Sequence, residues 1–493
     1  MLKHRITTLF LPLFLLLAVA LFDTCATNPV TGKRQISFIS EEQEIQMGKE
    51  YDPQVVAEFG LYPDEKLQNF ISTKGLEMAR ISERPNLPWT FRVVDSPVIN
   101  AFAVPGGFVY FTRGILAHFN NEAQFAGVLG HEIGHVTARH TVQQQSKQTL
   151  AQLGLVGGMI AVPGLAEQAQ TAMQGMQLLF LKFGRDAESQ SDELGVKYST
   201  AIGYDAREMA GFFGTLDRLS GGAENRVPSF LSTHPDPANR QQRVGQLAAE
   251  AQAANPGVEF EVDRNEYLRM IEGIVYGEDP RQGFVENNAF YHPELKFQFG
   301  FPTNWTLINS PTQVQIVAPD QKAVIIMRLG QGSASQAAQT FASENQIQVV
   351  SSDNTTINGL PAAVVVGKAA QTNEQGQVQS VTAVQATFIE YGGNTYQLMG
   401  LTADADYNRF ANSFSSTARS FARLTDQSKI NRLPERIRIA KTTRATTLRN
   451  ALAGEGIPND RLEEFAILNG FKLTQEFPPN ALFKVISGGT TGK

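Results

Sequence analysis

The feature that most constrains this 493-residue chain is a pair of histidines on successive helical turns, His131 and His135, with Glu132 between them. An α-helix turns about 100° per residue, so the two imidazoles lie on one face, about 40° apart. Both can reach a single metal ion at about 2.0–2.1 Å. Glu132 lies about 100° from His131, where its carboxylate can act as a general base without binding the ion. The pattern therefore predicts a helix that carries a zinc centre.

The bounds of this helix decide which neighbouring side chains can join the metal. Asn120 and Asn121 are both good N-cap residues, and the helix is predicted to run from them to about Gln145. On such an uninterrupted helix, His140 falls about 180° from His131, which excludes it as a ligand. A catalytic zinc needs three protein ligands and an open position for water, so the third ligand must come from another segment.

A second predicted helix, near residues 185–203, offers that ligand. Glu188 lies near its start, and Asp192 follows one turn later on the same face. Asp192 could accept a hydrogen bond from a ligand histidine and so fix its tautomer. Spacing alone favours a different interpretation, in which both carboxylates belong to a solvated acidic face. The histidines outside the first motif and its helix are His4, His118, His234 and His292.

Four separated motifs lie in a fixed order between residues 100 and 240. They are Asn100-Ala101-Phe102-Ala103-Val104-Pro105-Gly106-Gly107, His131-Glu132-x-x-His135, Glu188-x-x-x-Asp192, and Leu231-Ser232-Thr233-His234-Pro235 followed by Arg240. Together they resemble the gluzincin family of zinc metallopeptidases that includes the CAAX prenyl proteases, the HtpX-type membrane proteases and BepA. The segment 25–32 is also similar to the start of lipoprotein members. The resemblance covers roughly residues 27–250.

The resemblance implies a mostly helical zincin-like metalloprotease domain with a small sheet and one Zn²⁺ per chain. His131, His135 and Glu188 would bind the metal, Glu132 would be the general base, and Asp192 would orient a ligand. His234 and Arg240 would complete the catalytic group near the ion. Two roles remain open for His234: it could bind the metal and keep the enzyme latent, or help bind and polarise the substrate.

The first of the four motifs is expected to provide the substrate-binding strand. Residues 100–104 and 108–111 read as a hairpin around the turn Pro105-Gly106-Gly107. The strand Asn100, Ala101, Phe102, Ala103 and Val104 would lie at the edge of the cleft, where its backbone could pair with an extended peptide. An interior strand is the alternative.

The N-terminus indicates export. A short basic region, Lys3-His4-Arg5, precedes an apolar run over residues 6–22, so residues 1–25 are typical of a signal segment. A retained membrane anchor is the alternative. Cys25 is the only cysteine, so no intrachain disulfide can form. Its position resembles the lipid-acceptor cysteine of bacterial lipoproteins, although the preceding Phe22-Asp23-Thr24 departs from that pattern. An incidental cysteine is the alternative to a lipid attachment site.

The rest of the chain divides by composition. Hydrophobic content of 42%, charged content of 18% and a net charge of -6 describe a globular α+β protein and give no basic footprint for nucleic acid. The expected domains are the metalloprotease domain at 26–280, an α+β domain at 284–425 and a small module at 433–488. The second faintly resembles PsbP-like domains. The third resembles a LysM module through Leu468-Asn469-Gly470 and residues 478–486. Residues 150–183 could form a flap over the cleft, a membrane-touching patch or a buried helical hairpin.

The motifs and the family that they resemble together imply a zinc-dependent endopeptidase of the bacterial periplasm that degrades misfolded or misassembled envelope proteins. The expected partners are polypeptide substrates and a membrane surface, reached through a lipid on Cys25 or a signal anchor, at the outer membrane if Cys25 is acylated. LysM modules bind peptidoglycan, which makes it a candidate partner of residues 433–488. The alternative is a chaperone-like or peptidoglycan-binding quality-control factor whose protease site is latent.

Overall fold

The computed structural model describes residues 25–153, 183–221, 230, 233–234, 237–372 and 378–489. The signal-like residues 1–24 and residues 154–182, where the flap is predicted, lie outside these ranges. The α-helices are α1 (Glu41–Phe59), α2 (Glu65–Arg80), α3 (Arg113–His118), α4 (Glu122–Thr137), α5 (His140–Leu153), α6 (Arg185–Ala201), α7 (Arg207–Ser220), α8 (Pro237–Ala253), α9 (Arg264–Met270), α10 (Ala334–Glu344), α11 (Tyr407–Arg419), α12 (Gln427–Ile430), α13 (Leu448–Gly454) and α14 (Leu462–Leu468).

The strands form several separate sheets, and the α+β class is confirmed. They are β1 (Cys25–Thr27), β2 (Arg34–Ile36), β3 (Thr90–Val94), β4 (Ala101–Val104), β5 (Phe108–Thr112), β6 (Val275–Tyr276), β7 (Phe284–Glu286), β8 (Ala289–His292), β9 (Phe297–Gly300), β10 (Thr306–Asn309), β11 (Gln313–Val317), β12 (Ala323–Gly330), β13 (Gln348–Ile357), β14 (Leu360–Thr372), β15 (Val378–Tyr391), β16 (Asn394–Ala403), β17 (Ala422–Arg423), β18 (Glu435–Lys441), β19 (Thr446–Thr447), β20 (Glu476–Phe477) and β21 (Leu482–Gly488). Among the described residues, no helix is both long and apolar enough to cross a membrane.

A small sheet of order β3-β5-β4 supports the helix of the histidine pair. β4 pairs with β5 in an antiparallel hairpin, as the sequence predicts, with Val104 opposite Phe108. β3 runs parallel to β5 on its other side. Within the described residues no strand pairs with the outer edge of β4, and α4 packs beside it.

The helix of the histidine pair begins as predicted but ends earlier. Asn121 caps α4, because its side-chain oxygen accepts a hydrogen bond from the Gln124 backbone N–H at 2.8 Å. The prediction that the helix continues to about Gln145 is wrong, because Arg139 adopts a left-handed backbone conformation with φ 61°. The Arg139 guanidinium donates to the buried carboxylate of Glu44 at 3.0 Å, which holds the chain in this turn. The chain starts a new helix, α5, at His140.

The C-terminal segment shares a hydrophobic core with the first part of the chain. One buried cluster extends from Tyr62 to Val275 and resumes from Ile437 to Val485. β6 pairs with β18, which pairs with β21. The side-chain nitrogen of Lys484 is fully buried and donates to the carbonyl oxygens of Ala117 and Phe119 at 2.9 Å each. The β-α-α-β segment from β18 to β21 therefore packs directly behind α3 and the start of α4.

The intervening residues form an α+β unit with cores of its own. Its main sheet has seven antiparallel strands in the order β10-β11-β12-β16-β15-β14-β13. α11 packs through Phe410 and Phe414 in one buried cluster, and α10 packs through Phe341 in another. A second sheet of order β17-β9-β8-β7 joins the α11 cluster. The domain boundaries and the LysM-like assignment stay predictions.

His118 provides a pH-dependent test of the packing between α3 and the C-terminal segment. Its Nδ1 lies 2.7 Å from the Gly114 carbonyl oxygen, and burial lowers its pKa from 6.5 to about 4. Because the pKa of His118 is lower in the folded protein than the 6.5 of the unfolded chain, the neutral side chain contributes its full stabilisation above pH 6.5. This stabilisation is lost as the pH falls towards 4. We expect the difference in unfolding free energy between wild type and His118→Asn to shrink by about 3 kcal/mol between pH 7 and pH 4. Denaturant titrations across this range measure it, and parallel curves for the two proteins would contradict it.

Candidate metal centre and active site

The side chains of the histidine pair and Glu188 converge in the interior. The Nε2 atoms of His131 and His135 are 3.0 Å apart. The Glu188 carboxylate reaches them from α6, with its Oε2 3.6 Å from His131 Nε2 and its Oε1 3.5 Å from His135 Nε2. All three side chains are at most 2% exposed. The structure therefore places Glu188 against the two imidazoles and not on a solvated face.

Close packing between α4 and α6 makes this arrangement possible. A Cβ atom on Gly130 would lie 3.0 Å from the Gly195 Cα, and one on Gly195 would lie 2.9 Å from the Gly127 carbonyl oxygen. The two helix backbones therefore approach as closely as small residues allow, and a larger side chain would force them apart. The first two turns of α6 are thereby held within reach of both histidines.

Hydrogen bonding fixes which nitrogen of His131 faces the cluster. His131 Nδ1 lies 3.0 Å from the Asp192 carboxylate, which can only accept, so this nitrogen carries the proton. The Arg240 guanidinium is 3.2 Å from the same nitrogen, but its shorter bond, 2.6 Å, is to Asp192 Oδ1. His131 Nε2 therefore points its lone pair at His135 and Glu188.

The resulting set of donors fits a zinc ion. Two imidazole nitrogens and the two oxygens of one carboxylate face one another at 3.0–3.6 Å. Tetrahedral ligands at about 2.0–2.1 Å from Zn²⁺ are about 3.3 Å apart, so the observed spacings match this geometry. His234 offers a fourth ligand atom, and the ligand atoms of all four residues lie within 4.8 Å of one another.

Arg240 and Asp192 form a buried ion pair beside the cluster. Arg240 donates from Nε to Asp192 Oδ2 at 2.9 Å and from Nη2 to Oδ1 at 2.6 Å, and its Nη1 lies 3.0 Å from Glu188 Oε2. Burial raises the pKa of Asp192, but the charge of Arg240 and its hydrogen bonds outweigh burial and hold the pKa below its ordinary range. The guanidinium also stacks on the Phe213 ring at 4.3 Å. Arg240 therefore acts on His131 through Asp192.

Glu132 is buried with one oxygen unsatisfied. It is 1% exposed, and its Oε1 has no hydrogen-bond partner among the described residues. Burial raises its pKa. The nearest histidine nitrogen is His234 Nε2, at 3.7 Å. A buried carboxylate oxygen without a partner is costly unless a ligand or water completes it, which indicates a reacting group.

His234 reaches the cluster from the segment before α8. Its Nδ1 lies 2.9 Å from Glu188 Oε1 and 3.3 Å from His131 Nε2. Burial lowers its pKa, but the charges of Glu188 and Glu132 outweigh burial and raise it. Its ring stacks on Phe230 at 4.5 Å, while Phe183 stacks on His135 at 4.1 Å. These two aromatic rings enclose the site. Neither belongs to the predicted site residues, because no motif or periodic sequence pattern marks them.

His140 is close to the cluster but on its far side. Its Nδ1 is 3.0 Å from His135 Nδ1, and it is not among the grouped ligand atoms. Its exclusion as a ligand agrees with this geometry, although the uninterrupted helix behind that argument does not exist. Just before residues 100–104, the Ile99 carbonyl oxygen accepts a hydrogen bond from the backbone N–H of Phe230, the residue that stacks on His234, at 3.1 Å. Cys25 begins β1, whose partner is β2.

The site contains a buried pair of histidines on successive turns, a glutamate between them and a distant glutamate. This arrangement is typical of zinc metallopeptidases. Residues 65–248 match Peptidase family M48. Peptidases of this family are zinc-dependent, in agreement with the donor set.

Known relatives match the same part of the chain. It is 30% identical over 233 residues to the beta-barrel assembly-enhancing protease of Escherichia coli (strain K12), covering 45% of this chain and 47% of the relative. It is 33% identical over 193 residues to the mitochondrial metalloendopeptidase OMA1 of Arabidopsis thaliana, covering 37% and 38%. The chain thus spans about half or less of these curated relatives.

Similarity to a solved structure is weaker. The solution structure of cyanobacterial PsbP (CyanoP) from Synechocystis sp. PCC 6803 shows 11% identity and a TM-score of 0.24, over 27% of this chain and 91% of that chain. This TM-score carries no argument about the fold, so the PsbP-like character of residues 284–425 stays a prediction.

Replacement of Glu188 tests the donor set. We expect Glu188→Gln to lose tightly bound zinc, because a neutral amide replaces the only anionic ligand. Metal analysis of the purified full chain after dialysis measures the zinc content. Glu193→Gln, an exposed change on the same helix, is the matched control and should keep one zinc per chain. Equal zinc content in both variants would remove Glu188 from the ligand set.

Proposed function

We propose that this chain is a zinc-dependent endopeptidase of the bacterial cell envelope, with His131, His135 and Glu188 as metal ligands. The observation that carries the proposal is the unsatisfied Glu132 carboxylate oxygen on the helix that presents both histidines. Metal binding alone would not require this group. A buried carboxylate beside a zinc site is suited to moving a proton during peptide hydrolysis.

The chemistry divides between the metal and the chain. Zinc, when bound, supplies Lewis acidity that polarises a carbonyl group and acidifies water. Glu132 Oε1 takes the proton from the attacking water and passes it to the nitrogen of the leaving amine. Asp192, held by Arg240, keeps His131 in the tautomer whose Nε2 lone pair faces the metal. Arg240 is therefore a positioning residue.

Substrate binding is proposed at the edge of β4. Its outer edge is unpaired within the described residues, and α4 packs beside it. An extended peptide could add to this edge through main-chain hydrogen bonds, which select an extended backbone more than particular side chains. Residues 100–104 would then bring a scissile bond to the metal, and unfolded polypeptides would be suitable substrates.

The envelope setting and the substrates rest on other observations. The basic and apolar N-terminal residues are typical of export, and Cys25 lies where a lipid would tether the chain to a membrane surface. The name of one relative, beta-barrel assembly-enhancing protease, favours envelope proteins that are misfolded or misassembled as substrates. Peptidoglycan binding by residues 433–488 remains part of the proposal, through the faces of the β-α-α-β segment that do not pack on the protease core.

The burial of the centre favours a latent form as the second candidate function. His131, Glu132, His135 and His234 are each at most 1% exposed, so a substrate cannot reach them in this structure. His234 places a nitrogen where a fourth ligand would bind and displace water. We infer that His234 is an inhibitory ligand, which would leave a chaperone-like role active while proteolysis is switched off.

Glu132→Gln tests the hydrolytic step. Because the amide cannot take a proton from water, we expect cleavage of casein to fall by about 10²–10⁴-fold while zinc content is unchanged. Purified full-length protein is assayed with and without a chelator, and the wild-type activity should disappear with the chelator. Cleavage by Glu132→Gln at the wild-type rate would remove Glu132 as the base.

His234→Ala tests latency. If His234 blocks the water position, its removal should raise casein cleavage several-fold, because an open coordination position is restored. His292→Ala, a histidine of the 284–425 unit, is the control and should leave the rate unchanged. Loss of cleavage with zinc retained would instead assign His234 to substrate binding or catalysis.

A further inference from the structure

His140 engages both of its ring nitrogens although it is not a metal ligand. Its Nε2 lies 3.0 Å from the side-chain oxygen of Gln190 on α6. Its Nδ1 lies 3.0 Å from His135 Nδ1, and the two rings meet edge to face at 5.0 Å between centroids. His140 is buried and Gln190 is half-buried. The three side chains form a line that ends at the metal-facing Nε2 of His135.

The chemistry of each group fixes the direction of these hydrogen bonds. An amide oxygen only accepts, so His140 Nε2 carries the proton. In neutral His140, Nδ1 then holds the lone pair, and His135 Nδ1 must be the donor across the 3.0 Å contact. The Ser191 hydroxyl, 3.2 Å from His140 Nδ1, can donate to the same lone pair. His135 consequently keeps its lone pair on Nε2, where the metal binds.

We propose that Gln190 and His140 are positioning residues that set the tautomer and the ring orientation of His135. This assignment rests on the proposed metal site. The two proposed histidine ligands are then oriented by different hydrogen-bond acceptors. His131 donates to the carboxylate of Asp192, and His135 donates to the neutral imidazole of His140. Second-sphere partners of this kind contribute about 10–100-fold to metal affinity.

The orientation of the Gln190 side-chain amide decides whether these hydrogen bonds favour zinc binding. With the Gln190 nitrogen towards His140, every donor and acceptor would reverse, and His135 would carry its proton on the Nε2 that must bind the metal. An acceptor at position 190 is therefore required, whereas its charge is not. This requirement separates a positioning role from simple packing.

Variants at position 190 test the proposal by zinc affinity, measured as competition for Zn²⁺ against a fluorescent chelator. Gln190→Glu keeps an acceptor, so its affinity should remain within about threefold of wild type or increase. Gln190→Met keeps the length of the side chain but has no comparable acceptor, and its affinity should fall about 10–100-fold. Gln144→Met, on α5 and lining the same cavity of about 460 Å³ as His140 and Gln190, is the control and should match wild type.

Thermal unfolding of the metal-free proteins distinguishes positioning from packing. Gln190→Glu places a charge at this half-buried position, so it should be less stable than Gln190→Met. The proposal predicts the opposite order for zinc affinity, with Gln190→Glu binding zinc more tightly than Gln190→Met. If Gln190 only fills space, zinc affinity will follow stability. The proposal would be overturned if the less stable variant also bound zinc more weakly, or if the two variants had equal zinc affinities.

Replacement of His140 supplies a second, independent arm. His140→Phe removes the acceptor and should weaken zinc binding about 10–100-fold, whereas His140→Asn offers an oxygen and should restore part of the affinity. Unchanged zinc affinity in His140→Phe would refute the positioning role of Gln190 and His140 and leave the proposed metal site intact. A wild-type chain that binds no zinc would instead refute the metal site and, with it, the positioning role.

Discussion

The close approach of α4 and α6 is the constraint on which the active site depends. Gly130 and Gly195 bring the two backbones so near that a Cβ at either position would press on the opposite helix. Helices with larger residues at this contact would lie further apart, and carboxylate side chains on α6 would no longer reach the imidazoles. Because α6 is held this close, Glu188, Gln190 and Asp192 each contact a different part of the histidine group.

Charge balance explains why such a polar cluster can be buried. Glu132, Glu188 and Asp192 are three carboxylates at most 2% exposed, and Arg240 is the guanidinium that faces them. With all three ionised, the group carries a formal excess of two negative charges. Burying uncompensated charge is expensive, and a divalent cation removes this excess while it satisfies the lone pairs of His131 and His135. The charge balance of the cluster therefore favours a divalent cation, in agreement with the zinc dependence of Peptidase family M48, which residues 65–248 match.

The sequence predicts the part of this site that follows from helix geometry. The spacing of His131 and His135 is enough to place both imidazoles on one ion, since both residues lie on one helix. Glu188 could not be assigned in this way, because its distance from the histidines depends on how α6 packs, and only the resemblance to a family favoured it. The end of α4 was missed because the left-handed Arg139 is stabilised by Glu44, a residue distant in sequence. The position of His140 depends on that turn.

Local sequence patterns likewise do not predict packing between segments that are distant in the chain. The pairing of β6 with β18 places Val275 opposite Arg436, with the whole 284–425 unit between them in sequence. Neither strand reveals this partner, and the segment after residue 433 reads as an independent module. In the structure, the buried Lys484 instead holds the carbonyl groups of Ala117 and Phe119, just before the cap of α4. The C-terminal segment therefore supports the metal helix from behind.

The arrangement of the late motif shows how a closed site could open without losing its metal. Arg240 lies within α8 and is held by Asp192 and by the Phe213 ring, whereas His234 lies ahead of that helix. His234 contacts Glu188, His131 and the Phe230 ring, and its backbone carbonyl oxygen accepts a hydrogen bond from Arg240 Nη1 at 3.4 Å. Its departure would free a ligand position and uncover Glu132, while the Arg240–Asp192–His131 bonds stay in place. The proposed metal ligands and the proposed inhibitory His234 thus occupy separate structural elements, which the proposed latency requires.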